Sequence, residues 1–198
     1  MEVCLRIIVS LMAFQFKIQL LNISDPTVWR RLLVPEQFTF LRMHNLIQAA
    51  FGWENHHLFQ FSPKGYGSEP NIAMPFEDDD FAEKKVNPSK IKLSDIFHTP
   101  RQRYIYIYDF GDDWKHQIVL EKITENKILR AACIAGQGAC PPEDCGGPWG
   151  YARMLEILGN PKDPEHKDMK EWLGLSKNQK WDADAFDLEK TKSRVAKV

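Results

Sequence analysis

The sequence predicts an α+β fold: a single domain with a mixed, mostly antiparallel sheet of about six strands, one early helix and a helical C-terminal part. Three observations lead there. Apolar and polar residues alternate with period two in several short runs before residue 135. One segment of helical period interrupts those runs between residues 40 and 50. Beyond Pro148 only helical patterns remain.

FQFKIQLL (14–21) alternates and reads as a half-buried strand, followed by a turn at Ser24-Asp25-Pro26. VWRRLLVP (28–35) is a second strand that Pro35 ends. Thr39 is an N-cap for a helix bearing Phe40, Leu41, Met43, Ile47 and Ala50, with Gly52 as its stop. HHLFQF (56–61) reads as a third strand, and this strand–strand–helix–strand opening is compatible with a β-grasp-like sheet. Residues 63–90, including MPFEDDDFAEKK, lose the pattern and read as a long acidic, mobile loop. After a short element at 91–97, RYIYIYDF (103–110) and WKHQIVLEK (114–122) flank the tight turn Gly111-Asp112-Asp113, a hairpin. KILRAACI (127–134) is a sixth strand. Pro148 opens a helix to Gly159, Asp163-Pro164-Glu165 opens a second to Gly174, and WDADAFDLEK a short third.

The chain has 198 residues, 27% charged and 43% hydrophobic, with net charge −1, so no global field recruits a polyanion. The domain is expected over 14–189. Residues 1–13 are read as an N-terminal extension, with Met12 the expected biological start. The last stretch, 190–198, carries Lys190, Lys192, Arg194 and Lys197 and reads as a solvated basic tail. MEVCLRIIVSLMAF lacks a basic n-region and a cleavage site, and no apolar run is long enough to span a bilayer. A cytoplasmic location with reduced thiols is therefore expected.

Two groups of residues carry possible chemistry. Asp109, Asp112 and Asp113 crowd the hairpin turn, while Glu143 and Asp144 crowd a second loop. If the loops meet, five carboxylates could hold a hard divalent ion such as Mg²⁺. The same residues are also what tight turns are made of. Cys133, Cys140 and Cys145 lie within thirteen residues, and Cys140-x4-Cys145 falls inside zinc-ligand spacing, with His116 or the His56-His57 pair offering a further ligand. The stiff Pro141-Pro142 and the absence of Cys-x-x-Cys favour structural, reduced thiols, so the expectation is that no cofactor is needed. His116 lies on the apolar register of its strand, where a hydrogen-bonded core histidine is the usual outcome. Tyr104, Tyr106 and Tyr108 share a face that could stack bases, but without interleaved cations they read as cross-strand packing. Trp29-Arg30-Arg31 is the best cationic spot, although adjacent strand residues face opposite ways. Asp109-Phe110-Gly111 lacks every accompanying kinase motif.

VWRRLLVP, FGW with HHLFQF, YIYDFGDDWKHQIVLEKI, CPPEDCGGPWGY and EWLG with FDLEK together resemble the plasmid pRiA ORF-three-like family, from about Phe14 to Leu188. The resemblance implies no established activity, although some members of that family carry the label of transposon resolvase. A serine recombinase needs a nucleophilic serine with an arginine cluster, and the chain has neither arrangement. The family often has Asp-Pro before its final Phe-Asp, where this chain reads Asp184-Ala185-Phe186-Asp187. The expectation is a binding or interaction module for a macromolecular partner, protein or nucleic acid, without catalysis. The alternative is a divalent-metal-dependent hydrolase of phosphodiester or phosphate substrates.

Overall fold

The computed structural model describes residues 12–75, 85–125 and 128–198. The chain runs β1 (Ala13–Leu20), β2 (Trp29–Pro35), α1 (Phe40–Phe51), β3 (Phe59–Ser62), β4 (Asn71–Ala73) and β5 (Lys85–Val86). A 3₁₀ turn at Leu93–Asp95 leads to β6 (Arg103–Tyr108), β7 (Trp114–Thr124), β8 (Ala132–Gln137), α2 (Gly147–Gly159), α3 (His166–Trp172) and α4 (Leu188–Val195). One sheet has the order β5-β4-β3-β6-β7-β1-β2-β8.

That sheet has eight strands where the alternation led to about six. The additional pair, β4 and β5, is three and two residues long, too short for a periodic signal. Both strands lie within the stretch expected to be a loop. Its acidic part at 76–84, like the N-terminal extension up to residue 11, lies outside the described residues. All pairings are antiparallel except β4 with β5. A β-grasp sheet sets its first strand parallel to its last; here β1 is antiparallel to both β2 and β7, which does not fit that topology.

Alternation sorts the sheet into two faces. Phe14, Phe16, Ile18 and Leu20 of β1 are buried on one face, with Leu32 and Val34 of β2 and Trp114, His116, Ile118 and Leu120 of β7. Gln15, Lys17 and Gln19 point to the more open face. α1 supplies Phe40, Met43, Leu46, Ile47 and Ala50 to the core. Thr39 caps it by accepting from Arg42 N at 3.3 Å, and Gly52 ends it in the left-handed region at φ 99°.

The tyrosines of β6 face inward and pack, so they form no base-stacking platform. Tyr106 takes a hydrogen bond from Gln48 Nε2 at 2.9 Å, and its hydroxyl lies 2.8 Å from His44 Nδ1. His44 is stacked on Phe59, centroids 3.7 Å apart, and its Nε2 lies 2.6 Å from Asn55 Oδ1. Desolvation there lowers the His44 pKa to about 4.

The stretch after Leu188 is not a solvated tail. Asp187 Oδ1 accepts from Lys190 N at 2.9 Å and starts α4, a helix whose last turn carries Lys192 and Arg194. Thr191 and Val195, spaced i and i+4, are buried. The preceding WDADAF stretch, read as helical, is irregular.

Candidate functional site

The two acidic loops meet. Asp112 Oδ2 accepts from Gly146 N at 3.2 Å, and the backbone of Gly147 lies against that of Asp112. A Cβ on Gly147 would sit 2.3 Å from the Asp112 carbonyl oxygen, so only glycine allows this approach. Asp109, Asp113 and Asp144 all adopt left-handed backbone, with φ of 55°, 56° and 55°. Asp tolerates that region through local side-chain bonds; Asp109 Oδ1 accepts from Gly111 N at 2.9 Å.

The five carboxylates do not act alike. Asp113 turns to Tyr66, whose hydroxyl donates at 3.0 Å, and to Lys115 Nζ at 2.5 Å. Asp112 is engaged with Gly146. Asp109, Glu143 and Asp144 converge on His57: its Nε2 lies 3.6 Å from Asp109 Oδ2, 3.8 Å from Glu143 Oε2 and 3.0 Å from Asp144 Oδ1. Glu143 is held by its other oxygen, which accepts from Glu54 N at 2.6 Å and from the Tyr108 hydroxyl at 3.0 Å. Tyr108 in turn accepts from His56 N at 3.0 Å, and its own acidity is suppressed by burial and by Glu143. His56 and His57 fall in the connection before β3, not on the strand, which is how His57 reaches the loops.

Among the described residues, His57, Asp109 and Asp144 are the only three His, Cys, Asp or Glu side chains whose donor atoms all lie within 4.8 Å of one another. The thiolate set is not assembled. Cys133 is buried in β8, its Sγ 3.5 Å from the Ala135 carbonyl. Burial raises the pKa of Cys133 and Cys140 and pushes that of Cys145 up to about 12. His116 is a core residue, its Nδ1 3.0 Å from the Trp114 carbonyl and its ring edge-on to Phe51; desolvation lowers its pKa to about 3.

Beside the cluster opens a cleft of about 700 Å³, with Glu143 and Asp144 in its wall. Trp172, Trp181, Phe186, Lys190 and Arg194 line it as well. Their sequence context, helical or charged, gave no sign that they converge. Arg30 reaches the cleft but is largely engaged: it donates to the carbonyls of Ala50 (3.0 Å), Trp29 (2.8 Å), Gln137 (2.7 Å) and Gly138 (2.9 Å). Arg31, on the opposite face as strand geometry requires, grips Glu121 through Nε at 2.7 Å and Nη2 at 2.9 Å.

Fold and site describe a single-domain α+β protein with a histidine–carboxylate cluster at the rim of a mixed-charge cleft. The chain belongs to the plasmid pRiA4b ORF-3-like protein family, whose model matches residues 12–190. It is 35% identical over 158 residues to uncharacterized protein y4hQ of Sinorhizobium fredii, which covers 77% of this chain and 76% of that one. Its fold is similar to the crystal structure of protein MM3350 from Methanosarcina mazei Go1, titled a protein of unknown function. The TM-score is 0.75 and the identity 36%, over 90% of this chain and 97% of that one. Among the described residues no helix is long and apolar enough to cross a membrane.

Proposed function

We propose that the chain is a macromolecule-binding module and that the cleft is its binding face. The observation that carries this reading is the lining: exposed and half-buried aromatics beside both signs of charge, in a volume ordinary for a ligand site. Interleaved acids and bases suit a peptide segment of a protein partner better than a polyanion, which the −1 net charge does not attract either. Trp172, 52% exposed at the cleft, is the natural anchor.

The test replaces Trp172 with a photo-crosslinking phenylalanine in the full chain, in its native cell. Leu129, 78% exposed and outside the cleft lining, is the control position. A discrete adduct from position 172, absent from position 129 and resistant to nuclease, is the expected result. Equal labelling from both positions, or adducts that nuclease removes, would count against a protein-binding cleft.

A second reading, hydrolysis of phosphodiester or phosphate substrates with a divalent metal, is favoured by one observation. The His57 cluster shares Glu143 and Asp144 with a cleft that also offers Lys190 and Arg194 to an anion.

A further inference from the structure

We propose that His57, Asp109 and Asp144, with Glu143 at their edge, bind one first-row divalent cation of the Mn²⁺ or Zn²⁺ type. The distances to the imidazole suit an ion, and the donor atoms of His57, Asp109 and Asp144 all lie within 4.8 Å of one another. Donors about 2.1 Å from a common metal can be no more than about 4.2 Å apart. The three carboxylate approaches to His57 Nε2, at 3.0, 3.6 and 3.8 Å, fall inside that limit.

The hydrogen bonding is incomplete in the same place. His57 Nε2 and Glu143 Oε2 are both buried and have no hydrogen-bond partner, the 3.0 Å approach to Asp144 lacking the alignment of a bond. Asp109 is only 8% exposed, and its Oδ2 receives no hydrogen bond while Oδ1 is occupied by Gly111. Buried groups of this kind need a partner. The ring nitrogen approaches all three carboxylates without an aligned hydrogen bond to any of them. Among the described residues no lysine or arginine pairs with Asp109, Glu143 or Asp144.

The donor set chooses the ion class. One imidazole nitrogen with carboxylate oxygens suits borderline first-row ions, and imidazole is uncommon on Mg²⁺ or Ca²⁺. The Asp144 side chain is 68% exposed, so an ion there keeps an outward coordination position toward solvent. The site joins the segment before β3, the β6–β7 turn and the loop before α2. It therefore stands as a structural clip even if the chain is no enzyme.

The experiment titrates chelator-treated full chain with MnCl₂ and follows free Mn²⁺ by electron paramagnetic resonance, with ZnCl₂ as competitor. One saturable Mn²⁺ per chain is expected, displaced by Zn²⁺. His57→Ala, Asp109→Asn and Asp144→Asn should each weaken it at least tenfold, and Asp113→Asn should leave it unchanged. Asp144→Asn decides the matter if the more buried variants misfold, because its side chain is largely in solvent. Absence of saturable binding, wild-type binding by Asp144→Asn, or equal loss in Asp113→Asn would overturn the assignment. Mn²⁺ bound without cleavage of a phosphodiester substrate keeps the site and removes only the hydrolase reading.

Discussion

Gly147→Ala tests whether the two loops are locked together as closely as the geometry says. Gly147 has φ +67°, and its new Cβ would lie 2.3 Å from the Asp112 carbonyl oxygen. The left-handed backbone alone costs alanine about 1–2 kcal/mol. Relieving the overlap moves one loop by about 1 Å, since carbon and oxygen need roughly 3.3 Å, in a region packed too tightly to absorb the shift. That shift breaks the 3.2 Å bond from Gly146 N to the Asp112 carboxylate, a further 1–2 kcal/mol or about that. The total is about 2–4 kcal/mol, or a fall in Tm of roughly 4–16 °C for a domain of this size. Two glycines of the same chain separate the contributions. Gly174, at φ +65° with open space around it, carries only the backbone cost, and Gly159 carries neither. Urea unfolding of the three alanine variants should therefore rank Gly159 as near neutral, Gly174 as intermediate and Gly147 as worst. If Gly147→Ala costs no more than Gly174→Ala, the loops are not in close contact and the cluster beside them is not held.

Acid should destabilise the domain before its carboxylates titrate. His44 and His116 have pKa values lowered from 6.5 to about 4 and about 3, so the unfolded chain binds more protons between those values and 6.5. Their contribution is complete above pH 6.5 and is lost as pH falls toward 4 and then 3. Fully titrated, His44 removes on the order of 3 kcal/mol and His116 on the order of 5 kcal/mol. Urea midpoints at pH 7.5, 6 and 5 should fall steadily, and His116→Phe should flatten part of the slope; a level profile would show that these rings are not buried as described. Arg30→Lys should cost roughly 2–4 kcal/mol, because an ammonium cannot serve four carbonyls or stack between Phe51 and Phe186, 5.1 and 4.5 Å away. Denaturant unfolding checks it, and a loss under about 0.5 kcal/mol would mean the fork is not needed.

The long elements are legible in the sequence because period and cap agree. Thr39 and Gly52 bracket α1 as expected, and the period-two runs of β1, β2, β6 and β7 sort buried from exposed residues. What is not legible is short or depends on tertiary contact. β4 and β5 are held by neighbours rather than by propensity, and α4 looks like a charged tail until Asp187 is seen as its cap. For the site, the meeting of two acidic loops follows from no local pattern; it rests on the β6–β7 turn lying beside the start of α2. His57 could be named only as one of several histidines, because HHLFQF alternates like a strand and hides the break before Phe59.

Asp and Gly residues in a tight turn admit a structural and a chemical reading, and sequence cannot separate the two, since both use the same residues at the same positions. The separation comes from which oxygen atoms are already used and where the open ones face. Asp113 uses both oxygens, on Tyr66 and Lys115, and Asp112 uses one on Gly146 N while making no approach to His57, so these are turn residues. Asp109 is divided: Oδ1 shapes the turn through Gly111 N, and Oδ2 is left facing His57. Glu143 is divided in the same way, one oxygen fixed by Tyr108 and Glu54 N and the other buried without a bond. Carboxylates anchored by one oxygen and open at the other are what a preorganised ligand set requires, because the anchoring cost is already met in the fold. Asp109 and Asp112 stand three residues apart with the same side chain and one hydrogen bond each, and what sets Asp109 apart as the proposed ligand is that its open oxygen faces His57.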